Sequence, residues 1–382
     1  MATTRYGDYF PGTEYYVDYN LGTDDLTAGR GDGVGTDAWK TIKYALETGI
    51  PNTGRDTSNG DRLNLNDGTD HTFATVASLA SYGATATEAA PLLFQGYTSA
   101  ANDGGVATIA LASSTQFVND INFDYAALQD IRMTGNISSG LLVLDRYTSM
   151  INCSYINSST NAPCLVADVY STSHNCYFEA EDTTPVLNFS MMLDCCMIVQ
   201  RGSGGGVSKN KTVQSSNTLV VIEGDMGPGE VGLAGPCFHC AVVCLGTPNS
   251  SSVGVRGTDR SQMSGNYVEN VGQAFLATTT YASQSVVGNS YYNVVTPMVI
   301  TGMPLYVEDP VDAVTSIFVD ATQSTAAACD FTIEKKPGSV DTNNLKRTVG
   351  YVDGSNDKTF DIHINATGLG RQGIKFPAVM EQ

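Results

Sequence analysis

The sequence contains few charged residues, and their signs are unbalanced. Only 15% of its 382 residues are charged, and 39 acidic residues against 20 basic ones give a net charge of −19. An acidic surface repels phosphate, so we expect no nucleic-acid partner. The sequence also lacks an apolar run of about 18 residues, which argues against a membrane-spanning helix, and we expect no membrane partner.

Long runs of helix-favouring residues are absent as well. Glycine reaches 39 residues, and Thr, Ser, Val, Asn and Tyr are frequent. This composition is typical of β-strands joined by turns. The first residues lack the apolar core of a secretory signal, so we expect a protein that does not follow that export route. The nine cysteines, an odd number, then predict free thiols rather than a disulfide framework.

The sequence does contain a repeat whose period is near 20 to 23 residues. Each copy has two short apolar runs with an Asp or Asn in each run. The clearest copies are 143–155, 166–178 and 186–197, and weaker copies extend to both sides. A β-type repeat of this length is typical of a solenoid whose strands stack roughly 4.8 Å apart. The sequence therefore predicts a parallel β-helix over residues 91–304.

Cysteine occupies the repeat position itself in three copies, as Cys153, Cys176 and Cys195. A small apolar side chain suits a buried position that stacks on itself from coil to coil. We therefore predict that these three residues form a ladder in the core.

A second group of cysteines allows two interpretations. Cys237, Cys240 and Cys244 include a C-x-x-C pair, and three thiolates are candidate zinc ligands. A second pair of ligands is missing from the sequence, however, and Cys240 and Cys244 would face the same side of a strand. We favour core packing and expect no metal and no cofactor.

The first 90 residues follow another pattern. A strand at 14–18 is followed by a Gly- and Asp-rich turn, and residues 38–46 then have apolar side chains at helical spacing behind Asp37, a potential N-cap. The unit 1–90 is predicted to contain a strand, a capping helix and the first coil. The residues expected on the apolar face of the helix include Trp39, Ile42 and Leu46.

The spacing of the apolar segments changes again after Pro304. Four strand-like segments lie between 316 and 364, and residues 352–355 suit a hairpin turn. Four short strands make a marginal core. We therefore predict a small β unit over 305–382, which packs on the rod or on a copy of itself and serves oligomerisation or attachment.

The order of these features resembles a known superfamily. Tyr-Tyr-Val-Asp at 15–18, Trp-Lys-Thr-Ile at 39–42, Gly-Asp-Arg-Leu at 60–63 and Leu-Leu-Phe-Gln-Gly-Tyr at 92–97 are similar to the opening of pectate-lyase-like right-handed β-helix proteins. The resemblance implies an all-β, right-handed parallel β-helix whose open end is covered by the short helix. The superfamily includes lyases, hydrolases, phage tailspikes and virion decoration proteins, so the fold selects no activity.

Cleavage of a polysaccharide would require carboxylates that converge on a groove. Asp145 and Asp168 occupy equivalent repeat positions and are predicted to stack about 5 Å apart, close to the spacing in retaining glycosidases. The next equivalent residue is Asn188. Because Asp and Asn bond to the backbone at turns, this series favours a structural ladder over catalysis.

Glu223 and Asp225 are a second pair of catalytic candidates, in a loop that interrupts the repeat. Such loops often carry the function of a solenoid. The Asn-Thr-Asp and Gly-His-Gly motifs of the polygalacturonases are absent, and arginine is scarce within the coils, which leaves few groups to hold an acidic polysaccharide.

Two functions from different classes therefore remain open. The first is a structural virion protein: a trimeric β-helical protrusion that decorates or cements a phage capsid. It would assemble in the host cytoplasm, with the major capsid protein or another virion protein as its partner. The second is a tailspike-like polysaccharide hydrolase or lyase, or a glycan-binding protein, that acts on a host surface glycan. The missing catalytic motifs favour the first function, and its viral setting comes from the resemblance.

Overall fold

The chain folds into a parallel β-helix. The structure is a computed structural model, and it describes residues 12–27, 29–50, 61–73, 77–78, 92–101, 103–112, 117–118, 126–138, 142–144, 148–160, 162–163, 165–167, 171–181, 186–187, 191–207, 213–258, 261–278, 285–301, 306–313, 315–333, 346–353 and 356–363.

Three stacks of parallel strands form the faces of the solenoid. Sheet 1 has twelve strands, sheet 2 has eleven, and the third face is divided into the four-stranded sheets 3a and 3b. Within each sheet, every strand except the first and the last pairs with the strands of the preceding and following coils, so the backbone polar groups between these coils are satisfied. This confirms the all-β parallel β-helix that the sequence predicts.

The strands are as follows. Sheet 1 contains Glu14–Val17, Asp61–Asn66, Leu92–Tyr97, Ala126–Gln129, Ser149–Ile151, Ser171–His174, Met191–Asp194, Gln214–Ser216, Cys237–Phe238, Gln262–Ser264, Ser285–Val287 and Tyr306–Val307. Sheet 2 contains His71–Phe73, Ala107–Leu111, Ile131–Gly135, Ser154–Asn157, Tyr177–Ala180, Met197–Gln200, Leu219–Ile222, Ala241–Cys244, Tyr267–Glu269, Ser290–Tyr292 and Val311–Asp312. Sheet 3a contains Ala77–Ser78, Phe117–Val118, Leu142–Leu144 and Leu165–Ala167, and sheet 3b contains Val231–Ala234, Val253–Gly257, Gln273–Ala277 and Thr296–Ile300.

A single residue in the left-handed region turns the chain from sheet 1 into sheet 2 in successive coils. Such residues are most often Gly, Asn or Asp, because most other side chains are strained there. Three consecutive members bond to one another through their side chains: Asn175 Nδ2 donates to Asn152 Oδ1 at 2.8 Å, and Asn152 Nδ2 donates to Asp130 Oδ1 at 3.2 Å. We call these positions the corner column, which comprises Asp130, Asn152, Asn175, Cys195, Asn217, His239, Gly265 and Gly288.

The cysteine ladder follows directly after the corner column and faces the core. The thiol of Cys153 donates to the carbonyl of Leu128 at 3.3 Å, and the thiol of Cys176 donates to that of Met150 at 3.4 Å. The next residue of the ladder is Cys196, not the predicted Cys195. The prediction was wrong by one position, and in a β-strand a shift of one residue moves a side chain to the opposite face.

The N-terminal helix is shorter than the sequence predicts and begins later. It comprises Ile42–Tyr44 and continues as a wider turn over Ala45–Gly49. Thr41 is its N-cap, since Thr41 Oγ1 accepts a hydrogen bond from Tyr44 N at 3.1 Å, so Asp37 does not cap it. Ile42 and Leu46 are buried in the core, as expected of the apolar face.

Trp39 lies before the helix rather than within it. Its backbone forms a β-bridge with Val17, and its ring stacks on Tyr15 with the centroids 5.6 Å apart. Glycine is required at Gly49 because a Cβ there would lie 2.5 Å from the Trp39 ring. Trp39 is 1% exposed, so the first coil is closed by this ring together with the helix.

The coils continue past the expected boundary at residue 304. Tyr306–Val307 extends sheet 1, and Val311–Asp312 extends sheet 2. The chain then leaves the solenoid and forms an antiparallel pair of Phe318–Asp320 with Asp330–Ile333, with the 3-10 turn Ala326–Ala328 between them.

A hairpin follows near the end of the chain. Lys346–Asp353 pairs antiparallel with Asn356–His363, and Asp353 lies opposite Asn356 at the turn that the sequence predicts. None of the described helices is long and apolar enough to cross a membrane.

Replacing Trp39 with alanine tests the closure of the first coil. We expect Trp39→Ala to lower the free energy of unfolding by about 3–5 kcal/mol, because a large buried ring is lost from the end of the core. The exposed neighbour Lys40 is the control, and Lys40→Ala should change stability by no more than about 0.5 kcal/mol. Urea unfolding followed by circular dichroism measures both, since Trp39 is the chain's single tryptophan and its removal abolishes that fluorescence. Equal losses in the two variants would contradict the assignment.

Candidate functional sites

Of the two pairs of carboxylates that the sequence selects, one lies outside the described residues. This pair is Asp145 and Asp168. Asn188, the next residue of their series, also lies outside the described residues. The strands that precede the two aspartates, Leu142–Leu144 and Leu165–Ala167, pair in register in sheet 3a. The pairing of Asp145 with Asp168 remains a prediction.

The second pair is placed clearly, and its carboxylates bind backbone amides. Glu223 Oε1 accepts a hydrogen bond from Ala326 N at 2.7 Å, which joins the solenoid to the segment that follows it. Asp225 Oδ1 accepts from Thr247 N at 2.8 Å, across to the next coil. Both contacts join separate stretches of backbone. These hydrogen bonds do not direct the two carboxylates at a shared groove.

The three cysteines of the zinc hypothesis lie in the core. Cys237, Cys240 and Cys244 are all buried, and Cys240 and Cys244 donate to carbonyl groups, at 3.4 Å in the case of Cys240 and Phe238. Burial raises the pKa of Cys240 to about 12 and that of Cys244 to about 11. Zinc binds thiolates, so these raised pKa values favour the packing interpretation.

The outer face of sheet 2 is apolar over three consecutive coils, which the sequence analysis did not identify as a feature. Met197–Gln200, Leu219–Ile222 and Ala241–Cys244 are buried at every position. Nearly continuous apolar runs of this kind are typical of strands covered on both faces. These runs are the feature of the sequence from which the covered outer face could have been predicted. We call the outward-facing residues the apolar stripe, which comprises Met197, Val199, Leu219, Val221, Ala241 and Val243.

The apolar stripe is covered by the segment that follows the last coil. We call residues 313 and 315–331 the terminal strap. Phe318 is its central contact: it is fully buried and packs edge-to-face on Tyr267 and on Phe331, with ring centroids 5.6 and 5.3 Å apart. The other strap residues in this apolar cluster are Ala313, Ile317, Ala321 and Ala326.

A tyrosine–glutamate pair borders the stripe at each end. Tyr177 donates to Glu179 at one end, and Tyr267 donates to Glu269 at 2.8 Å at the other. Burial and the nearby Glu269 carboxylate raise the pKa of Tyr267 far above its usual range, so it stays a hydrogen-bond donor. Glu269 also accepts from Ser316 Oγ at 2.6 Å, which fixes the start of the strap.

A polar cluster lies where two sheet 1 strands end, directly before the corner column. His174 Nδ1 is 3.0 Å from Asp194 Oδ2, and Ser216 Oγ donates to Asp194 Oδ1 at 2.7 Å. The His174 side chain is 52% exposed. The strand register places His174 directly opposite Asp194 in adjacent coils, and this register is the information that the sequence alone did not supply.

The fold and these sites define a parallel β-helix protein, and comparisons with known proteins add the following. No family model and no curated protein matches the sequence. Among solved structures, ORF18 of Geobacillus virus E2 is 12% identical with a TM-score of 0.43, over 75% of this chain and 58% of that one, so the match spans little more than half of the viral protein. A pectate lyase, Pel9A, is 8% identical with a TM-score of 0.40, over 85% and 90% of the two chains. The pectin methylesterase from Aspergillus niger is 15% identical with a TM-score of 0.33, over 86% and 92%.

Truncating Phe318 tests whether the strap is held by the apolar stripe. We expect Phe318→Ala to release the strap, because its central aromatic contacts are lost, so that a protease cleaves within 315–331 and an apolar dye binds the uncovered stripe. Val319 is the matched control, since it is adjacent and 42% exposed. Val319→Ala should leave both signals unchanged. Similar cleavage of the two variants would mean that the stripe does not hold the strap.

Proposed function

We propose that this chain is a structural virion protein that decorates the outside of a phage capsid as a β-helical protrusion. The observation that best supports a structural role is the use of the Glu223 carboxylate. The carboxylate accepts a hydrogen bond from the Ala326 backbone amide and so anchors the strap to the solenoid. This contact stabilises the position of one part of the chain on another and is not a catalytic arrangement. The viral setting rests on the phage virion proteins that the superfamily resembled by the sequence includes.

Oligomerisation through the last coils is part of the proposal. Large apolar side chains are exposed there, including Val295 at 70%, Tyr306 at 55% and Val311 at 49%. Exposed apolar clusters on soluble proteins often mark contact sites between subunits. A trimer that packs through this end would cover them, in keeping with the trimeric protrusion predicted from the sequence.

Changing the charge of this surface tests the oligomer. We expect the double variant Val295→Asp, Tyr306→Asp to lower the mass measured by light scattering from that of a trimer to that of a monomer, because the contact would bury uncompensated charge. Val34→Asp is the control, since Val34 is 44% exposed near the other end of the chain. A wild-type chain that is monomeric at micromolar concentration would contradict the trimer.

Binding to capsid shells tests the decoration role directly. Purified chain should bind shells of the phage at saturating, fixed stoichiometry in co-sedimentation, and the double variant Asp145→Asn, Asp168→Asn should bind equally well, because no catalytic carboxylate is needed. Release of oligosaccharide from a host surface glycan, abolished by the same double variant, would overturn the proposal.

The alternative is a glycan-binding or glycan-cleaving protein, and the His174–Asp194 pair favours it. An exposed imidazole oriented by a carboxylate is an arrangement that general bases use. The same glycan assay, repeated with His174→Ala, separates a role of this pair from a role of Asp145 and Asp168.

A further inference from the structure

We propose that His174, Asp194 and Cys195 bind a divalent metal ion of the zinc class. One ligand atom from each of the three residues lies within 4.8 Å of the other two. Within the described part of the chain, these residues are brought together at one end of two neighbouring strands, where the solenoid turns from sheet 1 into sheet 2.

The register of the coils creates the site. His174 and Asp194 are the last residues of adjacent sheet 1 strands and lie directly opposite each other, 20 positions apart in the sequence. Cys195 directly follows Asp194 and belongs to the corner column. His174 therefore meets the adjacent pair Asp194 and Cys195 because successive coils stack about 4.8 Å apart.

Asp194 is oriented by its neighbours from the following coil. Ser216 Oγ and Asn217 Nδ2 donate to Asp194 Oδ1 at 2.7 and 3.0 Å, while Oδ2 faces His174. Hydrogen bonds of this kind hold metal-ligating carboxylates in place and adjust their affinity. The oxygen that faces the imidazole is the one we assign to the metal.

Cys195 interrupts the corner column in a way that backbone geometry does not explain. Its φ of 55° is unfavourable for cysteine, whereas the neighbouring corner residues Asn175 and Asn217 suit this region. An asparagine at this position would also continue the amide ladder. A strained backbone conformation at a residue type that disfavours it is a reason to look for a function of the side chain.

Packing is the competing explanation for Cys195. Its side chain is 5% exposed and belongs to the apolar cluster under the strap, together with Tyr177 and Met197. A small apolar residue would serve that purpose equally well. The two explanations therefore differ in what replacement of the sulfur atom does to metal binding, and the experiment below uses that difference.

The ligand set suits zinc. Thiolate, imidazole and carboxylate all bind it at about 2.0–2.3 Å, which places ligand atoms roughly 3.3–3.8 Å apart around a tetrahedral ion. The imidazole and carboxylate atoms, 3.0 Å apart, would therefore separate slightly on binding, whereas any ligand separation near the 4.8 Å upper bound would close by about 1 Å. On binding, the Cys195 thiol releases its proton to solvent and His174 binds as the neutral imidazole, its Nδ1 proton leaving or moving to Nε2. A fourth position is left for water.

Titration with Co²⁺ and Zn²⁺ on the full-length chain tests the site. All proteins should carry Cys329→Ser, because Cys329 is the only described cysteine that is not fully buried. We expect one Co²⁺ per chain with the near-ultraviolet absorption of a cobalt–thiolate bond, displaced by Zn²⁺. Cys195→Asn should abolish that absorption, and both it and His174→Ala should weaken binding at least about 100-fold.

One further variant and the stability of Cys195→Asn decide between binding and packing. Cys176→Ala removes a thiol from the neighbouring coil whose sulfur faces the core, and metal binding should remain as in the parent. Cys195→Asn should keep the melting temperature, because asparagine suits the corner. Unchanged Co²⁺ affinity in Cys195→Asn, or no stoichiometric binding by the parent, overturns the proposal and leaves packing as the role of Cys195.

Discussion

The stacking of one coil's backbone on the next is the constraint on which the rest of this structure depends. It requires each coil to turn from sheet 1 into sheet 2 at the same place, and a residue with a left-handed backbone conformation makes that turn. The corner column therefore sets which residues face the core and which lie opposite one another across coils. The core thiols Cys153, Cys176 and Cys196 and the pairing of His174 with Asp194 are both consequences of it.

The second organising feature is the union of the rod with the segment that leaves it. Sheet 2 of an isolated solenoid would expose the stripe from Met197 to Val243 to water, and the strap removes that surface. Polar contacts at Glu223 and Glu269 fix the strap's position, while Phe318 and Phe331 supply its buried aromatic rings. The Glu223 carboxylate, a catalytic candidate in the sequence, thus joins two parts of the chain.

The sequence predicted the solenoid because a repeat reports directly on coil stacking, but it was less exact about register. Cys195 and Cys196 are adjacent, and only the backbone conformation decides which one enters the core. Trp39 has helical spacing relative to Ile42, yet Thr41 caps the helix, so the ring comes from the bridge before it. The site around Asp194 was missed because its members come from different coils, and their proximity depends on coil lengths that vary along the chain.

The strap also has a consequence for how the rod unfolds. In a solenoid each coil contacts only its neighbours, so coils at an end can open one at a time. The strap, however, contacts the coil of Glu223 and the coil of Tyr267, and it shares one apolar cluster with coil residues from Tyr177 to Tyr267. Opening one of the contacted coils would require the strap to detach from the other as well, so we expect this stretch to unfold as a single cooperative unit.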